Sequence, residues 1–192
     1  MKRVLMIAGD FTEDYETMVP YQALEMVGIK VDVACPGKKK GDLIKTAIHD
    51  FEGDLTYTEK PGHNFALTAD FAKVEFDDYD GLFLTGGRSP EYLRLDSKVI
   101  MLIKCFMKSG KPVASICHGA QFLTAAEVLQ GRTLTAYPAI APDIKLAGGE
   151  YVEVAADDVI VNGNLITSPA WPGNIAILRE FIKALGVVIL SE

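Results

Sequence analysis

A doubly wound α/β fold is what this sequence predicts, and three observations predict it. Short apolar runs bounded by Gly, Asp or Pro recur along the 192 residues. They lack the strict polar alternation of half-exposed strands, as parallel strands buried on both faces do. Segments of helical period separate them, and strand, helix and strand in alternation imply right-handed crossovers that place helices on both faces of one sheet.

The first apolar run is Val4 to Ala8. Met1-Lys2-Arg3 ahead of it mimics the charged start of a secretory signal, but Asp10 ends the run too soon, and Arg3 to Ala8 reads as a buried first strand. Met18, Tyr21, Leu24 and Val27 then mark one face of a helix that Gly28 stops. Val31 to Ala34 is the second strand. From Pro36 to Asn64 the rhythm breaks. Gly37, Gly41, Gly53 and Gly62, with the β-leaning stretch Leu55 to Thr58, predict a loop with a small hairpin inserted after the second strand. Gly81 to Leu84 is the third strand, and Val99, Leu102, Ile103 and Phe106 face the core from a second helix ending at Gly110. Pro112 to Ile116, Val159 to Val161 and Leu165 to Thr167 supply further strands, and a last helix runs from Asn174 to Leu185 before Gly186. The expectation is a flavodoxin-like single domain over 1–192, with 36–64 as its insertion.

Composition narrows the function. With 49% hydrophobic residues the chain can bury one substantial core. A formal net charge of −7 argues against nucleic acid, whose affinity rests on clustered Lys and Arg. The run Lys38-Lys39-Lys40 reads as a solvated turn. No apolar run approaches the roughly 20 residues that cross a bilayer, so no membrane partner is expected. Three cysteines without paired spacing make no disulfide framework, which implies a reducing, cytoplasmic setting. No Cys/His pair has zinc-ligand spacing, so neither a metal nor a cofactor is expected.

In doubly wound sheets the reactive groups gather at the carboxyl ends of the strands. There, Ser115-Ile116-Cys117-His118-Gly119-Ala120 forms a strand, a sharp turn and a helix start, the nucleophile-elbow arrangement with Cys in place of Ser. A thiol at a helix N-terminus is expected to have a lowered pKa, so Cys117 is the candidate nucleophile, whereas Cys35 and Cys105 read as small buried hydrophobes. Gly86 and Gly87 follow the third strand, and the N–H groups of Gly87 and His118 are the expected oxyanion donors. Glu13, Asp14 and Glu16, after the first strand, are nearly even candidates for proton transfer. A carboxyl facing the sulfur would have to be protonated and donating in the resting enzyme. His118 adjoins the nucleophile, but neighbours on a tight turn usually point apart, so its imidazole is not expected to reach the sulfur unaided. His49 and His63 read as surface or hydrogen-bonding residues.

Ala114-Ser115-Ile116-Cys117-His118-Gly119 and Gly86-Gly87-Arg88-Ser89-Pro90-Glu91-Tyr92-Leu93 resemble the elbow and the glutamate segment of the PfpI/ThiJ superfamily. The resemblance extends over the whole chain. Asp14-Tyr15-Glu16 is similar to the acidic motif of that superfamily's glutathione-independent glyoxalases, which favours Glu16 among the three acids. The insertion looks most like that of the plant glyoxalase III domains. Those occur as tandem copies, so the resemblance implies a homodimer or higher oligomer here. It also implies that Glu91 of a neighbouring copy orients His118. Two departures are Thr85, where many relatives have Pro, and Trp171-Pro172-Gly173 near the site.

Three activities are consistent with these residues. The first is a glyoxalase or deglycase converting methylglyoxal or glyoxal to lactate or glycolate through a Cys117 hemithioacetal, with Glu16 as proton shuttle and a small 2-oxoaldehyde as partner. The second is a PfpI-type cysteine peptidase using Cys117, His118 and Glu91. The third is a non-catalytic redox-sensing or chaperone-like protein in which Cys117 is oxidised. A glutamine amidotransferase, which also uses this elbow, is set aside because no histidine follows His118.

Overall fold

The computed structural model describes residues 1–188. Its central sheet uses β1 (Arg3–Ile7), β3 (Lys30–Ala34), β6 (Gly81–Leu84), β7 (Val113–Ile116), β10 (Ile160–Asn162) and β11 (Leu165–Ser168) in the order β10-β11-β7-β6-β1-β3. The central strands are buried on both faces because nearly every side chain they carry is apolar: Val4, Leu5, Met6 and Ile7 of β1 and Leu82, Phe83 and Leu84 of β6 all lie in the core.

All neighbouring pairs in this sheet are parallel except β10 with β11, which is antiparallel. That departs from the all-parallel expectation, and the physical reason is local. Asn162-Gly163-Asn164-Leu165 is a tight turn in which Gly163 has φ 63°, so the chain reverses instead of crossing over.

Helix α1 (Asp14–Met26) joins β1 to β3, and α3 (Ser97–Ser109) joins β6 to β7 on the other side of β1 and β6. Right-handed crossovers in opposite directions put these helices on opposite faces. Accordingly α1 packs with α6 (Asn174–Ala184), and α3 packs with α4 (Ala120–Ala125). Strand order therefore reverses between β1 and β6. The crevice at their carboxyl ends is where such sheets bind ligands.

The hairpin falls within the expected insertion, but its strands are longer and lie elsewhere than Leu55 to Thr58 suggested. β4 (Leu43–Asp50) and β5 (Thr58–Ala66) form a long antiparallel hairpin, and β2 (Thr12–Glu13) adds to β4 as a third strand of a separate sheet. The expected strand at Leu55 to Thr58 is instead mostly the hairpin's loop, with Leu55 fully exposed. β5 contains Pro61 and Gly62, which disguise it as loop. It tolerates them as an edge strand, where a missing N–H costs no ladder bond.

Among the described residues, no helix is long and apolar enough to cross a membrane.

Candidate active site

Cys117 follows β7 and has φ 57°, a left-handed conformation that costs a residue with a side chain energy. The turn holds because its neighbours leave it room: a Cβ on Gly119 would meet the Leu84 carbonyl oxygen at 2.7 Å, and one on Gly86 would meet Cys117 Cβ at the same distance. The sulfur is thereby aimed into the crevice between β1 and β6. Cys117 remains only 6% exposed.

Three acids stand at the end of β1, and the structure gives each a different place. Glu13 is the N-cap of α1, its carboxyl accepting the Glu16 N–H at 2.8 Å. Asp14 ties the hairpin to α1 by accepting from the Thr46 hydroxyl and from the His63 N–H, the latter at 2.9 Å. Glu16, in the first turn of α1, is fully buried, and Oε2 accepts the Gly86 N–H at 3.0 Å. A Cβ on Gly86 would touch both Glu16 Oε2 and Cys117 Cβ, so the carboxyl stands beside the cysteine, with Oε1 lacking a hydrogen-bond partner. Buried hydroxyls brace this junction: Thr12 bonds Thr17 at 3.0 Å and Thr85 at 2.9 Å, and Thr85 donates to the Ile7 carbonyl at 3.0 Å. Thr85 thus links β1 to the Gly-Gly turn.

Burial and the charge of Glu13 push the Glu16 carboxyl well up. Burial and the Glu16 carboxylate likewise push the Cys117 thiol up, against the Gly87 and His118 N–H groups that pull it down. This reverses the expected lowering by a helix N-terminus. Cys117 opens a three-residue 3₁₀ turn leading into the six-residue α4, so little dipole is available, and burial outweighs it. The charges of the carboxylate and the thiolate oppose each other, so each group holds its proton more firmly while the other is charged. With Glu16 protonated the thiolate is relieved of that opposing charge, and the Gly87 and His118 N–H groups favour it.

The imidazole of His118 does reach the sulfur, contrary to the expectation from adjacency: Nδ1 lies 3.2 Å from Sγ. Burial, aided by the charge of His49, pushes His118 down to about 4, so the ring is neutral near pH 7. Glu91 is exposed on α2 (Ser89–Leu93), and no hydrogen bond joins it to His118 within the chain.

An aromatic roof, which sequence reasoning missed, covers the sulfur. Tyr137 stacks on His118 with ring centroids 4.8 Å apart, and its N–H donates to the Cys117 carbonyl at 3.3 Å. Tyr57, from the hairpin loop, lies edge-on to His118 at 5.7 Å and to Tyr137 at 5.5 Å. His49 packs on Tyr57 at 4.4 Å and bonds Glu59 through Nε2 at 2.9 Å. Arg88, just after the Gly-Gly turn, grips both Glu59 oxygens at 2.8 and 2.7 Å, and Trp171 Nε1 donates to the His49 carbonyl at 3.0 Å. His63 remains on the surface. The one available signal for the roof was the density of Tyr, Phe and His in the insertion, which periodicity does not weigh.

A pocket of about 300 Å³ lined by Glu13, Asp14, Tyr15, Ile48, Asp50 and His63 adjoins this assembly. Cys35 is buried at the end of β3, and burial pushes its thiol up to about 11. Among the described residues, no group of three or more His, Cys, Asp or Glu is arranged to hold a metal ion.

Residues 2–184 match the family model described as the DJ-1/PfpI family. The chain is 51% identical over 189 residues to Protein DJ-1 homolog D of Arabidopsis thaliana, covering 98% of this chain and 49% of that protein. It is 37% identical to a protein named Deglycase PfpI from Pyrococcus furiosus, covering 96% of this chain and 99% of the other. The chain thus spans about half the length of the plant relatives it matches and nearly all of the archaeal one. The structure of Schizosaccharomyces pombe DJ-1 superposes with a TM-score of 0.78 at 20% identity, over 99% of this chain and 93% of that one, which establishes a shared fold.

Proposed function

Because this chain belongs to the DJ-1/PfpI family, we propose that it is a cysteine-dependent deglycase or glyoxalase acting on small reactive carbonyl compounds, with methylglyoxal and glyoxal as its simplest substrates. One observation carries the reading: a fully buried acid, Glu16, with one oxygen unpartnered, stands beside a cysteine on a strained turn. This is the arrangement a proton-shuttling thiol enzyme needs.

The Cys117 thiolate adds to the aldehyde carbon, forming a C–S bond, while the carbonyl electron pair moves onto oxygen. The Gly87 and His118 N–H groups, which favour the thiolate, stabilise the charge that develops on that oxygen. Glu16 gives its proton to the oxygen and becomes the base that removes hydrogen from the same carbon. It returns that proton to the adjacent carbon as the hydroxyl proton passes to the neighbouring oxygen. Water then cleaves the thioester, so methylglyoxal plus one water gives lactate.

The test is to incubate the purified chain with methylglyoxal, without glutathione, and follow lactate. Lactate should form and should vanish in Cys117→Ala. No lactate, or full activity in that variant, sinks the proposal.

The 3.2 Å approach of His118 to the sulfur favours one second reading, a cysteine peptidase. A ring held down at about 4 is a poor carrier of the proton that a leaving amine requires, which places this reading second. Casein zymography with Cys117→Ala as control distinguishes it.

A further inference from the structure

The hairpin loop contributes the outer wall of the site, and the composition of that wall implies a substrate preference. Tyr57 touches His49, His118 and Tyr137, and Phe51, at the start of the same loop, stacks on Tyr137 with centroids 6.3 Å apart and planes 20° from parallel. These rings line the hairpin side of His118, whose Nδ1 lies 3.2 Å from the Cys117 sulfur. The loop is pinned at both ends. At the β4 end Trp171 Nε1 donates to the His49 carbonyl, and at the β5 end Glu59 is gripped by Arg88.

We propose that Tyr57 and Phe51 make this chain prefer carbonyl compounds that carry a flat, apolar substituent, such as aryl 2-oxoaldehydes, over those that carry only a methyl group. The proposal rests on the reading of Cys117 as a nucleophile for carbonyl carbon and names the substrate class of that site. An aryl ring attached to the second carbon presents far more apolar surface to these rings than a methyl group does. Edge-to-face contact between rings adds to the gain from removing apolar surface from water. Discrimination of this kind is worth about 10- to 200-fold.

The experiment avoids turnover, so that its failure is distinct from failure of the functional reading. Alkylation of Cys117 by phenacyl bromide and by bromoacetone is timed by peptide mass mapping, which separates it from Cys35 and Cys105. In each case the thiolate displaces bromide and forms a C–S bond. Each rate is divided by that of free cysteine with the same reagent. The normalised preference for phenacyl bromide should be about 10-fold or more. It should persist in Tyr57→Phe and in Leu55→Ser, a change at a fully exposed position of the same loop. It should fall at least fivefold in Tyr57→Ala and in Phe51→Ala. A wild-type preference near unity overturns the proposal, as does one that survives both alanine substitutions. If Tyr57→Ala fails to fold, Phe51→Ala and Tyr57→Leu decide alone.

Discussion

Glu16 is useful to the proposed chemistry only if it can hold a proton, and Gln cannot. Glu16→Gln keeps the shape and a donor toward the sulfur, so kcat should fall about 10²- to 10⁴-fold while Cys117 remains open to iodoacetamide. Equal loss of alkylation would point to a merely structural acid. Gly86 is the tightest point of the site, since a Cβ there would meet Glu16 Oε2 and, at 2.7 Å, Cys117 Cβ. Gly86→Ala should cost about 1–3 kcal/mol in urea unfolding and remove activity. His118 ties stability to pH. Its folded value of about 4 lies below the ordinary 6.5, so its contribution is fully present above pH 6.5 and is lost as pH falls toward 4. Glu13, raised to about 7 chiefly by burial, acts in the opposite sense: its contribution is present below 4.5 and is lost as pH rises through 7. Melting curves from pH 4 to 6.5 should show a shallower acid loss in His118→Gln than in the parent chain. An unchanged slope would mean that the buried ring does not resist protonation.

At the scale of elements, the hairpin depends on a bidentate grip. Arg88 holds Glu59 well below its ordinary range, at about 2, so the grip is present above pH 4.5 and loosens as pH falls toward 2. Glu59→Gln should change global stability by no more than about 1 kcal/mol, as expected of an exposed pair. Its effect should appear in hydrogen exchange, which should quicken in residues 51–57 and leave β1 and β6 untouched. Exchange that is unchanged in that loop would show the grip to be dispensable. The elements legible in the sequence were those whose burial is simple. Val4 to Ala8 and Gly81 to Leu84 announce themselves because both faces are buried, and the face of α3 because Gly110 ends it; of the expected α1 face only Leu24 is buried, beside Thr17 and Pro20. The hairpin's strands were misplaced because β5 carries Pro61 and Gly62 on an edge, while of the β-leaning Leu55 to Thr58 only Thr58 pairs, with Asp50. The elbow at Cys117 was legible from its small neighbours. The roof of Tyr57, Tyr137 and His49 was not, because it joins segments far apart in the chain that only the folded topology brings together.

For the molecule as a whole, the reversal of strand order between β1 and β6 collects Glu16, Gly86 and Cys117 from three separate segments into one crevice. Glu91 stands outside that convergence, exposed on α2, so the role in orienting His118 that the family resemblance implies requires a second copy of the chain. Size-exclusion chromatography should therefore give at least twice the mass of one chain, and Glu91→Gln should lower activity without changing that mass. A monomeric peak with full activity would remove Glu91 from the mechanism. The tie between Trp171 and the His49 carbonyl has a practical consequence. Trp171 is the sole tryptophan of the sequence, and its indole N–H is bonded directly to the hairpin that roofs the sulfur. Its intrinsic fluorescence is thus a built-in optical gauge of whether that hairpin stays seated, readable without any attached dye.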